Sequence, residues 1–266
     1  MTSDSADSAD SAISVLHDML RVYDHRFLAM DGAQRGRLMS GTRQVLGEDG
    51  LNDAARAVLP VRYRLRAFCI QHGLQDELER LIREELDGHE VGAVVVGGRV
   101  YAVYPYLRGV PRQDADVTSE VGLRHRLDEA SWQGKRVRVR GVAAIERIEA
   151  RETKVELILR ERRSRVEHRF PADASASGGF EVEADMALPG PGRWDARVAA
   201  SALGVTREAR FGTVRADRLD TESQRRALTS NLASTIYFTK GGYLAVVVRN
   251  QKPAPLRAKL RRRLLR

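Results

Sequence analysis

Residues 91–107 read VGAVVVGGRVYAVYPYL, and within this stretch the hydrophobic pattern changes from a helical period to an alternating one. Residues 94–96 and 100–104 are β-branched and aromatic runs on either side of Gly97-Gly98. Two glycines tolerate the positive φ angles of a two-residue turn, so the segment is expected to form a β-hairpin. The residues before it carry helical spacing, and those after it carry strand spacing. The fold class expected is α+β, with an N-terminal helical bundle followed by an antiparallel β-sandwich.

Upstream, Ile13, Leu16, Leu20, Tyr23 and Phe27 recur at helical spacing and predict one helix ending near Asp31-Gly32. A second helix is expected over residues 35–46, and a third, capped by Asn52 or Asp53, stops before Pro60. Between residues 61 and 86, Leu65, Phe68, Cys69, Leu74, Leu78, Leu81, Ile82 and Leu86 form an apolar stripe. Gly73 divides it into two helices and Asp87-Gly88 ends it. The other face carries Arg62, Arg64, Arg66, Glu77, Glu79, Arg80, Arg83 and Glu84, the mixed charge of a solvated surface. Its basic first part, RYRLR at 62–66, offers contact with a phosphate-bearing partner as the alternative.

Downstream of a polar connector at 108–118, strand-like segments recur at 135–149, 153–162, 165–172, 180–186, 193–200 and 206–214, with a last strand from Tyr243. Their alternation marks antiparallel strands with one wet face. Arg136, Arg138 and Arg140 share one side of a strand, and with Arg160 and Arg162 on the next they would form a basic patch for a phosphate-rich polymer. Glu156, Glu161 and Glu167 lie near enough in sequence to leave an ordinary solvated face as the competing reading. Trp132 and Trp194, at the ends of strand-like segments, are expected to fill the core, with a sugar-stacking platform as the alternative.

The chain of 266 residues carries 45 basic and 36 acidic residues. Seven of the basic ones (Lys252, Arg257, Lys259, Arg261, Arg262, Arg263, Arg266) fall in the last fifteen positions with no acid among them, so the body holds 38 against 36 and is near neutrality. That argues against a nucleic-acid-binding body. In the tail, Leu256, Leu260, Leu264 and Leu265 lie to one side of a helix and the cations around the rest, a pattern suited to an anionic membrane surface or to a disordered solubilising tail. Residues 1–12 are a Ser-Ala-Asp repeat expected to be disordered, unlike a signal peptide, and no apolar run approaches the ~20 residues of a membrane span. Cytoplasmic location is expected, with peripheral contact at the inner membrane face. The single cysteine, Cys69, is expected to be a buried small hydrophobe.

No constellation for chemistry emerges. The six histidines are scattered, no metal or cofactor site is expected, and neither a nucleophile elbow nor a phosphate-binding loop is present. Asp114-Ala115-Asp116 spells the D-x-D that holds a divalent metal in many sugar-nucleotide transferases, but it sits in a polar connector beside Pro111 and reads as solvent-exposed linker.

Together, YDHRFLAMDGAQRGRLMSG (23–41), LPVRYRLRAFCIQHGLQDELERLI (59–82), YLRG (106–109), GRWDARVAAS (192–201) and GGYLAVVV (241–248) resemble the region behind the catalytic domain in family 2 glycosyltransferases of actinobacteria, similar to the wall-teichoic-acid glycosyltransferases. The resemblance covers roughly residues 13–250. It implies a helical linker followed by immunoglobulin-like β-sandwich modules, associated with oligomerisation and with binding a polyanionic acceptor. The family's GT-A domain has no counterpart here, so no catalytic residue is carried over. The chain is expected to be the accessory half of such an enzyme, encoded separately or truncated, serving cell-envelope polymer synthesis. Its expected partners are a catalytic glycosyltransferase, an anionic polymer or membrane surface, and further copies of itself. The expected divisions are a tail at 1–12, helices at 13–88, hairpin and connector at 89–118, sandwich at 119–250 and basic tail at 251–266. A transferase acting in its own right through Asp114 and Asp116, and nucleic-acid binding through the tail, are the alternatives.

Overall fold

The computed structural model describes residues 3–89, 91–174 and 178–251. The chain divides into two compact units, Met1–Val121 and Gly122–Arg266. The basic tail lies outside the described residues.

The first unit holds α1 (Ser3–Arg21), α2 (His25–Ala29), α3 (Gly32–Leu46), α4 (Asp53–Val58), α5 (Val61–His72) and α6 (Gln75–Leu86), then the strands β1 (Gly92–Val96) and β2 (Arg99–Val103) and the short α7 (Arg112–Ala115). The expected first helix is two. Asp24 breaks it by capping α2, its carboxylate accepting from Arg26 N. α1 also reaches back to Ser3, into the repeat expected to be disordered, although Ser and Asp outnumber Ala there. Asp31 and Gln34 close a capping box at the start of α3, and Asn52 caps α4 through Ala55 N. Gly73 takes the left-handed conformation, φ 69° and ψ 24°, and so separates α5 from α6.

Helix α5 is the centre of this unit, packed against α1, α3, α6 and α7. Leu65, Cys69 and Ile70 on it are buried, as are Leu20, Tyr23 and Phe27 before it and Leu78, Leu81 and Ile82 after it. The expectation that RYRLR lies on a solvated face is overturned for two of its three arginines. Arg64 is 6% and Arg66 5% exposed. A helix packed on several sides has no free face, so these guanidinium groups are used internally. Arg64 donates to the carbonyls of Gln113 and Asp116 and to Glu120 (2.9 Å), tying α5 to the connector. Arg66 donates to Leu20 O (3.0 Å) and Glu85. Arg62 alone stays half-exposed, over the Tyr63 ring and 3.6 Å from Glu85. The expected hairpin forms, with Val96 opposite Arg99 and both turn glycines at positive φ.

The second unit is antiparallel sheet: β3 (Leu123–Gln133), β4 (Arg136–Ile145), β5 (Lys154–Glu161), β6 (Glu167–Ala174), β7 (Gly179–Asp185), β8 (Gly192–Ala202), β9 (Val205–Arg210), β10 (Gln224–Ala227), β11 (Leu232–Phe238) and β12 (Leu244–Asn250). The path of pairing is β10-β11-β12-β8-β5-β6-β7-β4-β3, with β9 on β8. β8 is shared: its first half pairs β12 and its second half β9, while β5 runs along its other edge. β6 turns the sheet over, pairing β5 through residues 167–172 and β7 through Asp173 and Ala174. The two ends of the path nearly meet, since Trp132 Nε1 on β3 donates to Gln224 O on β10 at 3.0 Å. The result is a β-sandwich-like, nearly closed sheet whose core includes Leu127, Val139, Leu157, Leu159, Phe180, Trp194, Val198, Phe211, Ile236 and Val246. β3, β10 and β11 were not expected from the sequence.

Candidate functional site

Side chains alternate across a strand and directly opposed residues share a face, so the register determines which charges are neighbours. On the face of β5 and β8 turned away from the core, Arg160 stands opposite Asp195 and Ile158 opposite Arg197. Arg197 is in turn opposite Arg210 on β9, and Ala199 opposite Glu208. On β6, Glu167 faces Arg160 and Arg169 faces Ile158. Across β12 the same face continues through Arg193, opposite Val247, and reaches β10 at Arg225, opposite Thr235.

The acids of this face are Glu156, Glu167, Asp195 and Glu208, and all are engaged. Glu208 accepts from Arg160 (2.8 Å) and from Arg197. Glu167 accepts from Arg160 (2.5 Å) and Arg169 (2.8 Å), and Glu156 from Arg169 (3.0 Å). Asp195 holds Arg162 at 2.7 Å and Arg210 at 3.7 Å. Partial burial would push the Glu167 carboxyl up, but the hydrogen bonds and charges of Arg160 and Arg169 hold it below its ordinary value. Arg193 and Arg225 carry no ion pair among the described residues, so the face has cations in excess. Arg210 also lies 3.8 Å from the Tyr243 ring centroid, which places an aromatic surface at the edge of the cationic array.

Of the predicted site, Arg160 and Arg162 belong to this face. Arg136, Arg138 and Arg140 lie together on β4, but β7 and β6 stand between β4 and β5 in the path. They pair with their own neighbours: Arg136 with Glu183 (3.3 Å), Arg138 with Glu181 (2.8 Å), and Arg140 with Glu129 (3.4 Å) and Glu181 (3.6 Å). The hydrogen bond from Arg138 holds the Glu181 carboxyl below its ordinary value. Arg169, Arg193, Arg197, Arg210 and Arg225 were missed. Their alternation is visible in 193–197 and 208–210, but only the register shows that these strands are neighbours. The tail cations Arg257, Lys259, Arg261, Arg262, Arg263 and Arg266 lie outside the described residues.

Trp194 is buried at 4% exposure, its Nε1 donating to Gly190 O and the His168 ring set edge-on at 5.2 Å. Trp132 is half-buried and spends its N–H on β10. The D-x-D triplet is not the exposed linker expected. Asp114 is 5% exposed and accepts from Arg56 Nε at 2.8 Å. Asp116 accepts from Arg99 at 3.0 Å and caps Thr118 N at 2.8 Å. Among the described residues no group of three or more His, Cys, Asp or Glu side chains could hold a metal ion. No described helix is long and apolar enough to cross a membrane. Cys69 is fully buried, and burial, helped by the nearby charge of Glu77, pushes its thiol up to about 12.

Comparison with known proteins adds an independent line. Residues 116–247, just under half of the chain, match the family model described as TarS beta-glycosyltransferase C-terminal domain 1. The crystal structure of Staphylococcus aureus TarS 217–571 superimposes with a TM-score of 0.57 at 12% identity, covering 92% of this chain and 71% of that one. A second S. aureus TarS structure gives a TM-score of 0.47 at 14% identity and covers 81% of this chain and 38% of that one. No curated protein matches the sequence. Residues 116–247 are thus similar to a TarS C-terminal domain, and the chain shares the fold of the solved TarS 217–571 structure.

Proposed function

We propose that this chain is a non-catalytic accessory module of a glycosyltransferase system that builds an anionic cell-envelope polymer. The observation that carries the proposal is the match of residues 116–247 to a transferase's C-terminal domain. In this reading the arginine-rich outer face of β5, β6, β8, β9 and β10 contacts a phosphodiester-linked chain, and the helical unit, as a small bundle, meets the catalytic partner. Arg193 and Arg225, without a carboxylate partner among the described residues, are the cations available to phosphate. The tail cations extend the same preference to an anionic surface. The transferase alternative would need Asp114 and Asp116 to converge on one metal, whereas Asp114 is spent on Arg56 and Asp116 on Arg99 and Thr118.

The test is co-sedimentation of the full chain with poly(ribitol phosphate) and with a neutral glucan of similar length. Binding is expected to the phosphate polymer alone, weakening with added salt. The double variant Arg193→Glu, Arg225→Glu should bind about tenfold more weakly while melting like the parent. Equal binding by parent and double variant would remove the face from the account.

A further inference from the structure

Strand β8 begins at Gly192, and three connections of the second unit gather around that end. The register sets Glu161, the last residue of β5, opposite Trp194, and Val248 of β12 opposite Gly192. Arg162 N donates to Arg193 O and Trp194 Nε1 to Gly190 O, both at 3.0 Å, which ties the β5–β6 turn and the β7–β8 loop to the start of β8. Arg136 lies opposite Asp185, so the β3–β4 turn is here as well. The chain leaves β12 at the same end.

Val166 is 52% and Leu188 60% exposed, one on each of the two tied loops. The same end carries Lys135, Arg163, Arg165 and Arg249, all exposed and without an ion pair among the described residues. None of the segments 134–135, 162–166, 186–191 and 249–251 contains an acid. The bordering carboxylates are engaged. Glu161 accepts from the backbone N–H of Arg163 and of Ser164, each at 2.6 Å, and Asp185 from that of Ala187 at 2.9 Å. The other end of β8 differs. Leu203 is 57% exposed there, but the neighbouring β4–β5 connection, residues 146–153, carries Glu146, Glu149 and Glu152.

We infer that this end of the second unit docks on an anionic phospholipid bilayer, with Leu188 and Val166 entering the interface and the four cations meeting headgroup phosphates. Exposed aliphatic side chains gain free energy where an apolar phase receives them, and cations where the surface is negative. A soluble phosphate polymer offers the charge alone. Residues 252–266 continue from Gln251 and repeat both properties in sequence, with seven cations, no acid and the leucines 256, 260, 264 and 265. The contact uses the end of the sandwich rather than its arginine-rich face, and does not rest on polymer binding there.

Sedimentation of the full chain with vesicles of phosphatidylglycerol and phosphatidylcholine, and of phosphatidylcholine alone, tests it. Binding is expected to the anionic vesicles, weakening with added salt. The double variant Arg163→Gln, Arg165→Gln should bind about twentyfold more weakly, from about fivefold per cation at a membrane surface. The double variant Val166→Ser, Leu188→Ser should bind about fivefold more weakly or worse. Leu203→Ser should bind like the parent, and all three proteins should melt like it. Depth is read by a polarity-sensitive dye on Leu188→Cys or Leu203→Cys, since buried Cys69 stays unlabelled. Anionic vesicles should shift the emission at position 188 to the blue and leave that at 203 unchanged, while soluble poly(ribitol phosphate) should shift neither. No binding to anionic vesicles, undiminished binding by both loop variants, or a shift at 188 produced by the polymer would each overturn the inference. Vesicle binding with no shift at position 188 would assign the contact to residues 252–266 alone and overturn it equally.

Discussion

Gly141→Ala tests the architecture of the second unit at its tightest point. Gly141 on β4 faces Leu127 on β3, where the register shifts between Leu127 and Glu129. A Cβ there would lie 2.3 Å from the carbonyl oxygen of Arg126 and 3.1 Å from Cζ of Phe211. Reaching 3.0 Å, the shortest separation such contacts tolerate, requires about 0.7 Å of movement by a backbone atom inside a paired ladder. Overpacking of this kind costs about 1–3 kcal/mol, and a carbonyl that cannot rotate away places it near the upper end. Alanine also restricts the unfolded chain, which returns about 0.4–1 kcal/mol. The net loss is about 2 kcal/mol, or roughly 4–8 °C for a unit of this size. Both tryptophans, Trp132 and Trp194, lie in this unit, so thermal melting followed by tryptophan fluorescence reads it alone. Gly190→Ala is the control: nothing lies within 4 Å and its φ is not positive, so it should melt like the parent or slightly higher. A Gly141→Ala protein melting within about 1 °C of the parent would refute the close approach.

Three further outcomes are expected in the first unit, where helical circular dichroism is the natural probe. Arg64→Ala should cost about 2–4 kcal/mol by leaving the carbonyls of Gln113 and Asp116 without their donor, while exposed Glu120 keeps its bond from Val61 N, and Arg64→Lys should recover little, because an ammonium group cannot span three acceptors; full recovery by lysine would show that charge alone matters. Burial pushes Glu79 up, but hydrogen bonds from Gln75 and Arg35 and the charges of Arg35 and Arg83 leave its carboxyl below the ordinary value. Its stabilising contribution is therefore complete above the unfolded value near ~4.3 and is lost as pH falls through the lower folded value. The melting difference between parent and Glu79→Gln should shrink from about pH 7 to about pH 3, and a constant difference would contradict the ion-pair account. Cys69, pushed up to about 12 by burial, should resist a disulfide exchange reagent at about pH 8 in the native chain and react promptly in denaturant; equal rates would place the thiol at the surface.

The fold was legible wherever a local rule governs it. Gly97-Gly98 specified the hairpin, Asn52 the start of α4, and Gly73 the division of α5 from α6, because caps and turns are short-range chemistry. β3 was not legible because its register shift moves the buried positions from Leu127 to Ala130, which destroys the alternation that marks a strand. β10, QRRA, has no apolar face and is a strand through its pairing with β11. Arg64 and Arg66 misled for a different reason. Charge predicts exposure when partners are unknown, and the acceptors of Arg64 lie about fifty residues downstream. The basic patch was half visible: parity identified which arginines share a strand face, while the separation of β4 from β5 by β6 and β7 is a property of topology.

The central claim, that this chain assists a transferase rather than acting as one, is tested most directly by nucleotide release. The purified chain is incubated with poly(ribitol phosphate), divalent metal and a panel of UDP- and GDP-linked sugars, and free nucleoside diphosphate is followed with time. The account predicts no release above the protein-free rate, with the polymer nonetheless bound. Metal-dependent release that disappears in Asp116→Asn would contradict it and make the chain a glycosyltransferase itself.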